Sequence, residues 1–328
     1  MADFLYPLTF VPRFKERVWG GRNLERLYGK DLPLDRVIGE SWEISDRPGD
    51  ESVVSDGPLA GQTLTQVIAD FGAEIMGDVS LLDGRFPLLV KLLDAQERLS
   101  LQVHPPASIA AELGGDPKTE MWFLADCAEG ADIFVGLREG VSRTVFEEAL
   151  STGRVADCFH RIETSRGEAM FLPSGRVHAI GAGNVIFEIQ QNSDTTYRVH
   201  DWDRAGLDGK PRELHVEASL ASIDFCDIEP KLVSAPVQIW GEGMSARVLA
   251  DCDSFRVEHC LLGEGKTWTA KPGGAPRVVG LVSGGLQFRS GDRVGTVSPG
   301  EFFLLPASIG AHLVATEPGT GWLLATPR

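Results

Sequence analysis

The sequence predicts a mainly β protein made of two related β units, with a few short helices covering the first. Three observations carry this. Gly (37 residues) and Pro (19 residues) are scattered along the 328-residue chain, and between them lie short apolar runs such as Phe86 to Leu93, Glu168 to Leu172, Val185 to Ile189 and Glu301 to Leu305. Such runs closed by turn residues are the pattern of many short strands in a sandwich or barrel. Only three segments show helical spacing instead. One stretch also recurs: Gly167 to Ile180 reads GEAMFLPSGRVHAI and Gly300 to Val314 reads GEFFLLPASIGAHLV, each with Gly-Glu, an apolar strand, a Pro and then a His.

The first helix is expected over Thr63 to Gly77, where Leu64, Val67, Ile68, Phe71 and Ile75 share one face and Thr63 with Gln66 has capping-box spacing. The second, Ala107 to Leu113, follows Pro105-Pro106 and stops at Gly114-Gly115. The third runs from about Thr144 to Leu150, with Thr144 and Glu147 as a capping box and Gly153 beyond it. None carries inward-facing chemistry, so all three are expected to cover a β core. Around Asp227 to Ser234 the sequence DIEPKLVS has the Pro and mixed polarity of a crossing linker, which divides the chain into residues 1–228 and 229–328. The second unit keeps His312 but has no polar cluster like that of the first, so it is expected to be a β-domain without a metal site.

Charge narrows the function. Lys plus Arg number 31 against 47 Asp plus Glu, a formal charge of −16, which excludes a partner made of extended phosphate backbone and disfavours anionic membrane surfaces. A composition of 43% hydrophobic and 24% charged residues suits an ordinary globular protein with about two cores. No apolar run reaches membrane-spanning length, and MADFLYPLTF lacks a basic n-region, so a cytoplasmic location is expected. The five cysteines are spread out with no C-x-x-C pair, and small buried thiols are expected.

Chemistry is concentrated in four blocks. In Ser100 to Pro105 an extended chain puts Ser100, Gln102 and His104 on one face. In Lys118 to Trp122, Lys118, Glu120 and Trp122 share a face just before apolar Phe123-Leu124, and burying such charges requires a metal or an anionic ligand. In Pro173 to Ile180 a turn delivers His178 to the start of a strand. Two His and one Glu are a usual catalytic zinc set, with Gln102 available as a fourth oxygen ligand. The fourth block, Glu188 to Arg198, offers Glu188 and Asp194 as acid, base or supporting groups, and Arg198 as an anion clamp.

Joined in this order, the motifs resemble the type I mannose-6-phosphate isomerases. The resemblance is carried by FPLLVKLLDAQERLSLQVHP (Phe86 to Pro105), the Lys-x-Glu-x-Trp of Lys118 to Trp122, and LPSGRVHAIGAGNVIFEIQQNSDTTYRV (Leu172 to Val199). PRFKERVWGGRNL (Pro12 to Leu24) and IGESWEIS (Ile38 to Ser45) add to it. Length and the short interval from Glu120 to His178 resemble the shorter bacterial form.

The resemblance implies two cupin-type jelly-roll domains and one zinc ion per chain on Gln102, His104, Glu120 and His178. It also implies a hexose phosphate as the small-molecule partner, with Arg198, Lys91, Ser100 and Lys118 around the sugar phosphate. Glu188 is the first candidate for the proton-transfer base and Lys118 the second. Two rival readings stay open: an iron-dependent cupin oxygenase, because two His and a carboxylate also make a non-haem iron triad, and a sugar-phosphate-binding cupin without catalysis. His200, where short members of the family often carry an aromatic residue, is expected at the rim or surface.

Overall fold

The computed structural model describes residues 5–328, so the first four residues of the MADFLYPLTF segment lie outside it. The chain is organised as two double-sheet sandwiches of antiparallel strands. In the first, a six-stranded sheet has the order Ala169–Leu172, Glu120–Cys127, Asn184–Gln191, Leu88–Ala95, Ile38–Ile44, Arg13–Gly21. Facing it is a five-stranded sheet in the order Tyr197–His200, Leu101–Val103, His178–Ile180, Asp132–Leu137, Phe159–Glu163. In the second sandwich, residues from Gln238 to Pro327 form sheets of six and four strands.

The repeat seen in the sequence has a structural counterpart. Ala169–Leu172 and Phe302–Leu305 are each the edge strand of a six-stranded sheet, and the strand after each, His178–Ile180 or Ala311–Ala315, lies in the smaller sheet. The two His differ in setting: His178 is buried, whereas His312 is exposed and shares a hydrogen bond with Thr269 Oγ1.

Packing explains why the central strands read as continuous apolar runs. In Leu88–Ala95, Leu88, Val90 and Leu92 face a core that also holds Phe255, Val257, Val278, Leu304 and Leu323 of the second sandwich. Leu93 of the same strand faces the opposite core with Leu124, Ile133, Val135 and Ile186. Both faces of the first six-stranded sheet are therefore covered, and a strand buried on both faces loses the polar alternation of a surface strand. Polar residues that remain in such a strand, such as Lys91, stand out.

The helices cover the sandwich as expected, with corrections at their ends. Leu64–Met76 carries the predicted capping box of Thr63 and Gln66. Ala107–Ala110 is shorter than its pattern, since Ala111 onward tightens into turns before Gly114. The third helix is Arg143–Ser151, and its N-cap is Ser142, whose hydroxyl accepts from the Val145 N–H. Thr144 and Glu147 thus do not form the expected box; Glu147 instead pairs with Arg143 one turn away. Helices Asn23–Tyr28 and Val216–Ser222 were not foreseen, being too short to show a periodicity.

The linker region is tied down. Leu137 N–H donates to Asp227 O at 3.0 Å, Glu229 N–H to Leu137 O at 2.8 Å and Val233 N–H to Ala169 O at 2.8 Å. Among the cysteines, Cys158 and Cys260 are buried, but Cys226 is exposed beside this linker, which corrects the expectation of uniformly buried thiols. Among the described residues, no helix is long and apolar enough to cross a membrane.

Candidate active site

Strand register assembles the site as two facing rows. On the five-stranded sheet, Gln102 is paired with His178 on one side and with Arg198 on the other. On the six-stranded sheet, Glu188 is paired with Lys91 and with Trp122, and Lys91 with Trp42. Because side chains alternate across a strand, paired residues project to the same face. The rows close on a cleft of about 570 Å³.

Three of the predicted metal ligands converge just behind its lining. Ligand atoms of His104, Glu120 and His178 lie within 4.8 Å of one another, and all three residues are buried. His104 sits one residue past the strand Leu101–Val103, where Gly175 N–H donates to its carbonyl at 2.8 Å. The turn at Ser174-Gly175 brings His178 in, and it needs glycine: Gly175 has φ +93°, and a Cβ there would sit 3.3 Å from Ser222 O.

The hydrogen bonds set the state of both imidazoles. His104 Nδ1 donates to Thr195 O at 2.8 Å and His178 Nδ1 donates to Arg176 O at 2.9 Å, since a carbonyl can only accept. Each Nε2 therefore keeps its lone pair when the ring is neutral, and both face Glu120, at 3.5 Å from His104 and 3.3 Å from His178. Burial, with the Lys118 ammonium nearby, pushes His104 down to about 3, and burial lowers His178 in the same direction. Lone pairs held neutral and aimed at a carboxylate suit a metal ion.

His104 Nε2 and both carboxylate oxygens of Glu120 are buried with no hydrogen-bond partner. Lys118 Nζ lies 3.1 Å from Glu120 Oε2 as an ionic contact. Against burial, chiefly the Lys118 charge beside it holds Glu120 well below the usual carboxylate range. Orphaned acceptors in a dry site carry a cost of about 1 to 3 kcal/mol each, and a cation bound among them would remove it. The residues present thus fit a divalent metal. Gln102 is turned the other way: its Nε2 faces His178 Nε2 at 3.2 Å, while its Oε1 accepts from Ser100 Oγ at 3.3 Å. Its oxygen would reach a metal only if the amide were turned over.

A second charged group lies alongside. Lys91 Nζ is 3.1 Å from Glu188 Oε2, and both are buried. Glu188 Oε1 accepts from Trp122 Nε1 at 3.0 Å. Burial raises the Glu188 carboxyl above its ordinary value, with Glu120 adding to the rise and Lys91 opposing it. Lys91 remains an ammonium because Glu188 and Glu40 together outweigh its burial.

The structure therefore brings Lys91, Ser100, Gln102, Lys118, Glu188, Asp194 and Arg198 to one cleft, with the His104, Glu120 and His178 cluster directly behind Gln102 and Lys118 of its lining. Asp194 is exposed at the mouth. His200 lies outside the lining, stacked edge-on against Trp202 at 5.5 Å.

Sequence reasoning gave no role to Arg17, Glu40 and Arg212, which also line the cleft. Glu40 accepts from Arg17 Nε at 2.8 Å and from Trp42 Nε1 at 2.7 Å, and the nearby Lys91 and Arg17 charges overcome its burial and bring it to about 2. A carboxylate at an alternate position of the apolar strand IGESWEI was the available signal. Arg212 follows a polar loop with no periodicity, and the sequence carries no comparable signal for it.

A double sandwich of antiparallel strands with a buried His-Glu-His cluster and ammonium-carboxylate pairs in one cleft defines the class: a cupin-type protein with a candidate metal site. The chain belongs to the type I phosphomannose isomerase family. The family model described as "Phosphomannose isomerase type I, catalytic domain" matches residues 8–122. Mannose-6-phosphate isomerase ManA of Bacillus subtilis is 35% identical over 311 residues, which cover 93% of this chain and 94% of that protein. The probable mannose-6-phosphate isomerase GmuF of the same organism is 41% identical over 227 residues, 68% of this chain and 70% of that one. The crystal structure of the mannose 6-phosphate isomerase from Bacillus subtilis superposes with a TM-score of 0.89 at 29% identity, covering 98% of this chain and 99% of that one. Membership of an isomerase family sets aside both the oxygenase and the non-catalytic binder.

Proposed function

We propose that this chain interconverts mannose 6-phosphate and fructose 6-phosphate through an enediol, with one zinc ion held by His104, Glu120 and His178. The observation that carries the reading is the set of buried, unpartnered atoms, His104 Nε2 and both Glu120 oxygens, facing one another beside a cleft of sugar-phosphate size. Bound zinc would supply Lewis acidity toward substrate oxygen without redox chemistry, which suits a reaction with no net oxidation.

The remaining work falls to side chains. Aldose-to-ketose conversion takes a proton from C2 and returns one to C1. We assign the transfer to Glu188: as a carboxylate it takes the C2 proton, leaving an enediolate, and once the O2 hydroxyl proton has passed to O1 the resulting acid gives its proton back at C1, which leaves the C2 carbonyl. Its raised carboxyl lies nearer the working pH than an ordinary glutamate, as an efficient general base requires, and its Oε2 is buried without a hydrogen-bond donor in good geometry. Lys118, ion-paired with Glu120, is placed to donate hydrogen bonds to sugar oxygens rather than to abstract a proton. Lys91, Ser100 and Asp194 bind hydroxyls along the wall. Arg198 stays charged at any working pH and binds anionic oxygen.

A coupled assay started from fructose 6-phosphate, with and without chelator, tests the whole reading. Turnover that the chelator abolishes and zinc restores is expected. Absence of turnover with any hexose phosphate would overturn it.

A further inference from the structure

Five cations line the cleft: Arg17, Lys91, Lys118, Arg198 and Arg212. Three of them are already matched by carboxylates within it. Arg17 holds Glu40, Lys91 lies against Glu188, and Lys118 lies against Glu120. A dianionic phosphate gains little from charges so neutralised, and the two remaining arginines stand in a different electrostatic setting.

They meet where the strand Tyr197–His200 leaves the sheet. The backbone there passes through two consecutive residues with positive φ, Trp202 at 58° and Asp203 at 53°. For a bulky residue such as Trp this conformation is strained and persists only where packing imposes it. Trp202 Nε1 donates to Leu99 O at 2.7 Å, and its ring packs on Phe134 and under Arg98. The chain then folds into a hairpin closed by the Ala205–Pro211 bridge and by Gly206 N–H to Lys210 O at 2.7 Å. Gly206, Leu207 and Asp208 of this hairpin border the cleft, and Arg212 emerges at its base.

One buried carboxylate serves the arginines of this corner. Asp201 accepts from Arg212 Nε at 2.6 Å and also from its Nη2, and from Arg204 Nε at 3.1 Å and Nη2 at 3.0 Å. Arg198 spends Nη1 on Glu213 O at 2.8 Å, and its Nε is buried with no partner. The other acids nearby, Glu97 at 3.9 Å from Arg204 together with Asp208 and Glu213, are exposed and count for little against solvent screening. Three guanidiniums against one buried carboxylate leave an uncompensated positive charge beside an orphaned donor.

We propose that Arg212, aimed by Asp201 from the base of the 205–211 hairpin, grips the substrate phosphate together with Arg198 and so selects phosphorylated over free sugar. Arg212 gives its Nε and Nη2 edge to Asp201 and keeps Nη1 for the phosphate, and Arg198 supplies Nε. Paired guanidinium donors match phosphate oxygens better than ammonium groups do. The phosphate is thereby held at the Arg corner and not at Lys91 or Lys118.

This inference rests on the cleft being the isomerase site, and the test separates the two. Arg212→Gln and Arg212→Lys are assayed with mannose 6-phosphate, and inorganic phosphate is titrated as a competitive inhibitor of each. Loss of a charge-assisted hydrogen bond predicts for Arg212→Gln a KM and a phosphate inhibition constant that each rise about tenfold or more, with kcat changed less than about threefold. Arg212→Lys, which keeps the charge but loses the fork, recovers part of both and carries the test if the Gln variant does not fold. Unchanged KM and phosphate inhibition, or a fall in kcat at constant KM, overturns the assignment. His104→Ala runs alongside: if it stays fully active the site reading itself fails, whereas an inert Arg212 with a dead His104→Ala defeats only the phosphate grip.

Discussion

Gln102 is the cross-strand partner of two residues at once, His178 on one side and Arg198 on the other. One backbone ladder thus fixes the distance between the candidate metal ligand and the candidate anion clamp. The Arg198 backbone is held on both sides, since its carbonyl accepts from His215 N–H at 2.8 Å and its N–H donates to the His215 ring at Nδ1, 3.2 Å away. Truncating the side chain should leave the strand in place. Arg198→Ala is expected to lower kcat/KM by about tenfold to a hundredfold, the scale of losing a charge-assisted hydrogen bond to the substrate phosphate, with a melting temperature within a few degrees of the parent. Near-normal turnover would remove Arg198 from the site.

Metal removal should be visible without any assay of activity. A ligand that binds only the folded state stabilises it by mass action, so chelator is expected to lower the melting temperature and added zinc to restore it. Glu120→Gln keeps the shape but removes the charge that faces both histidines. It is expected to purify with well under one zinc per chain, read by elemental analysis, and full metal occupancy would exclude Glu120 as a ligand.

Glu188 gives a kinetic prediction with a sign. As a base it must be ionised, and burial has raised its carboxyl, so activity should increase with pH through that raised value. Glu188→Gln is expected to cut kcat by about a hundredfold or more and to abolish the acidic limb of the pH profile. A variant that keeps the limb would transfer the proton-moving role elsewhere, Lys118 being the next residue to test.

His259 predicts a stability effect far from the cleft. It packs on Phe123 at 4.8 Å between the two sandwiches, and burial, helped by the Arg247 charge, takes it down to about 4. The unfolded chain protonates this imidazole near 6.5 and the folded chain does not, so its share of stability is complete above pH 6.5 and is lost as pH falls towards 4. The loss amounts to about 2 to 3 kcal/mol. Urea unfolding of the parent and of His259→Asn between pH 7 and 4 should show a shallower decline in the variant, and parallel curves would rule the His259 contribution out.

Much of this was legible because a charged residue left inside an apolar run stands out. Glu120 before Met121 and Trp122 is costly to bury unless it is used, so it announces a site; Lys91 among the leucines of Leu88–Ala95 carries the same signal but was reached only through the family resemblance. The turn that delivers His178 was readable from Pro173-Ser174-Gly175 for the same local reason. Arg212 was not legible, because its place depends on a carboxylate eleven residues away and on a strained bend at Trp202 that no propensity predicts. The cap at Ser142 was misplaced to Thr144 because both are good caps and only the path of the preceding turn chooses between them.

The first six-stranded sheet, covered on both faces, has a consequence for how the chain is divided. Leu88, Val90 and Leu92 share a core with residues of the second sandwich while their strand neighbour Lys91 faces the cleft, so part of the back of the catalytic wall is furnished by residues beyond 240. A fragment ending at the linker would turn that greasy back wall to water, inviting self-association instead of catalysis. Chimeras that exchange C-terminal halves between relatives must therefore match this internal seam, and a surface comparison of the parents would not reveal the mismatch.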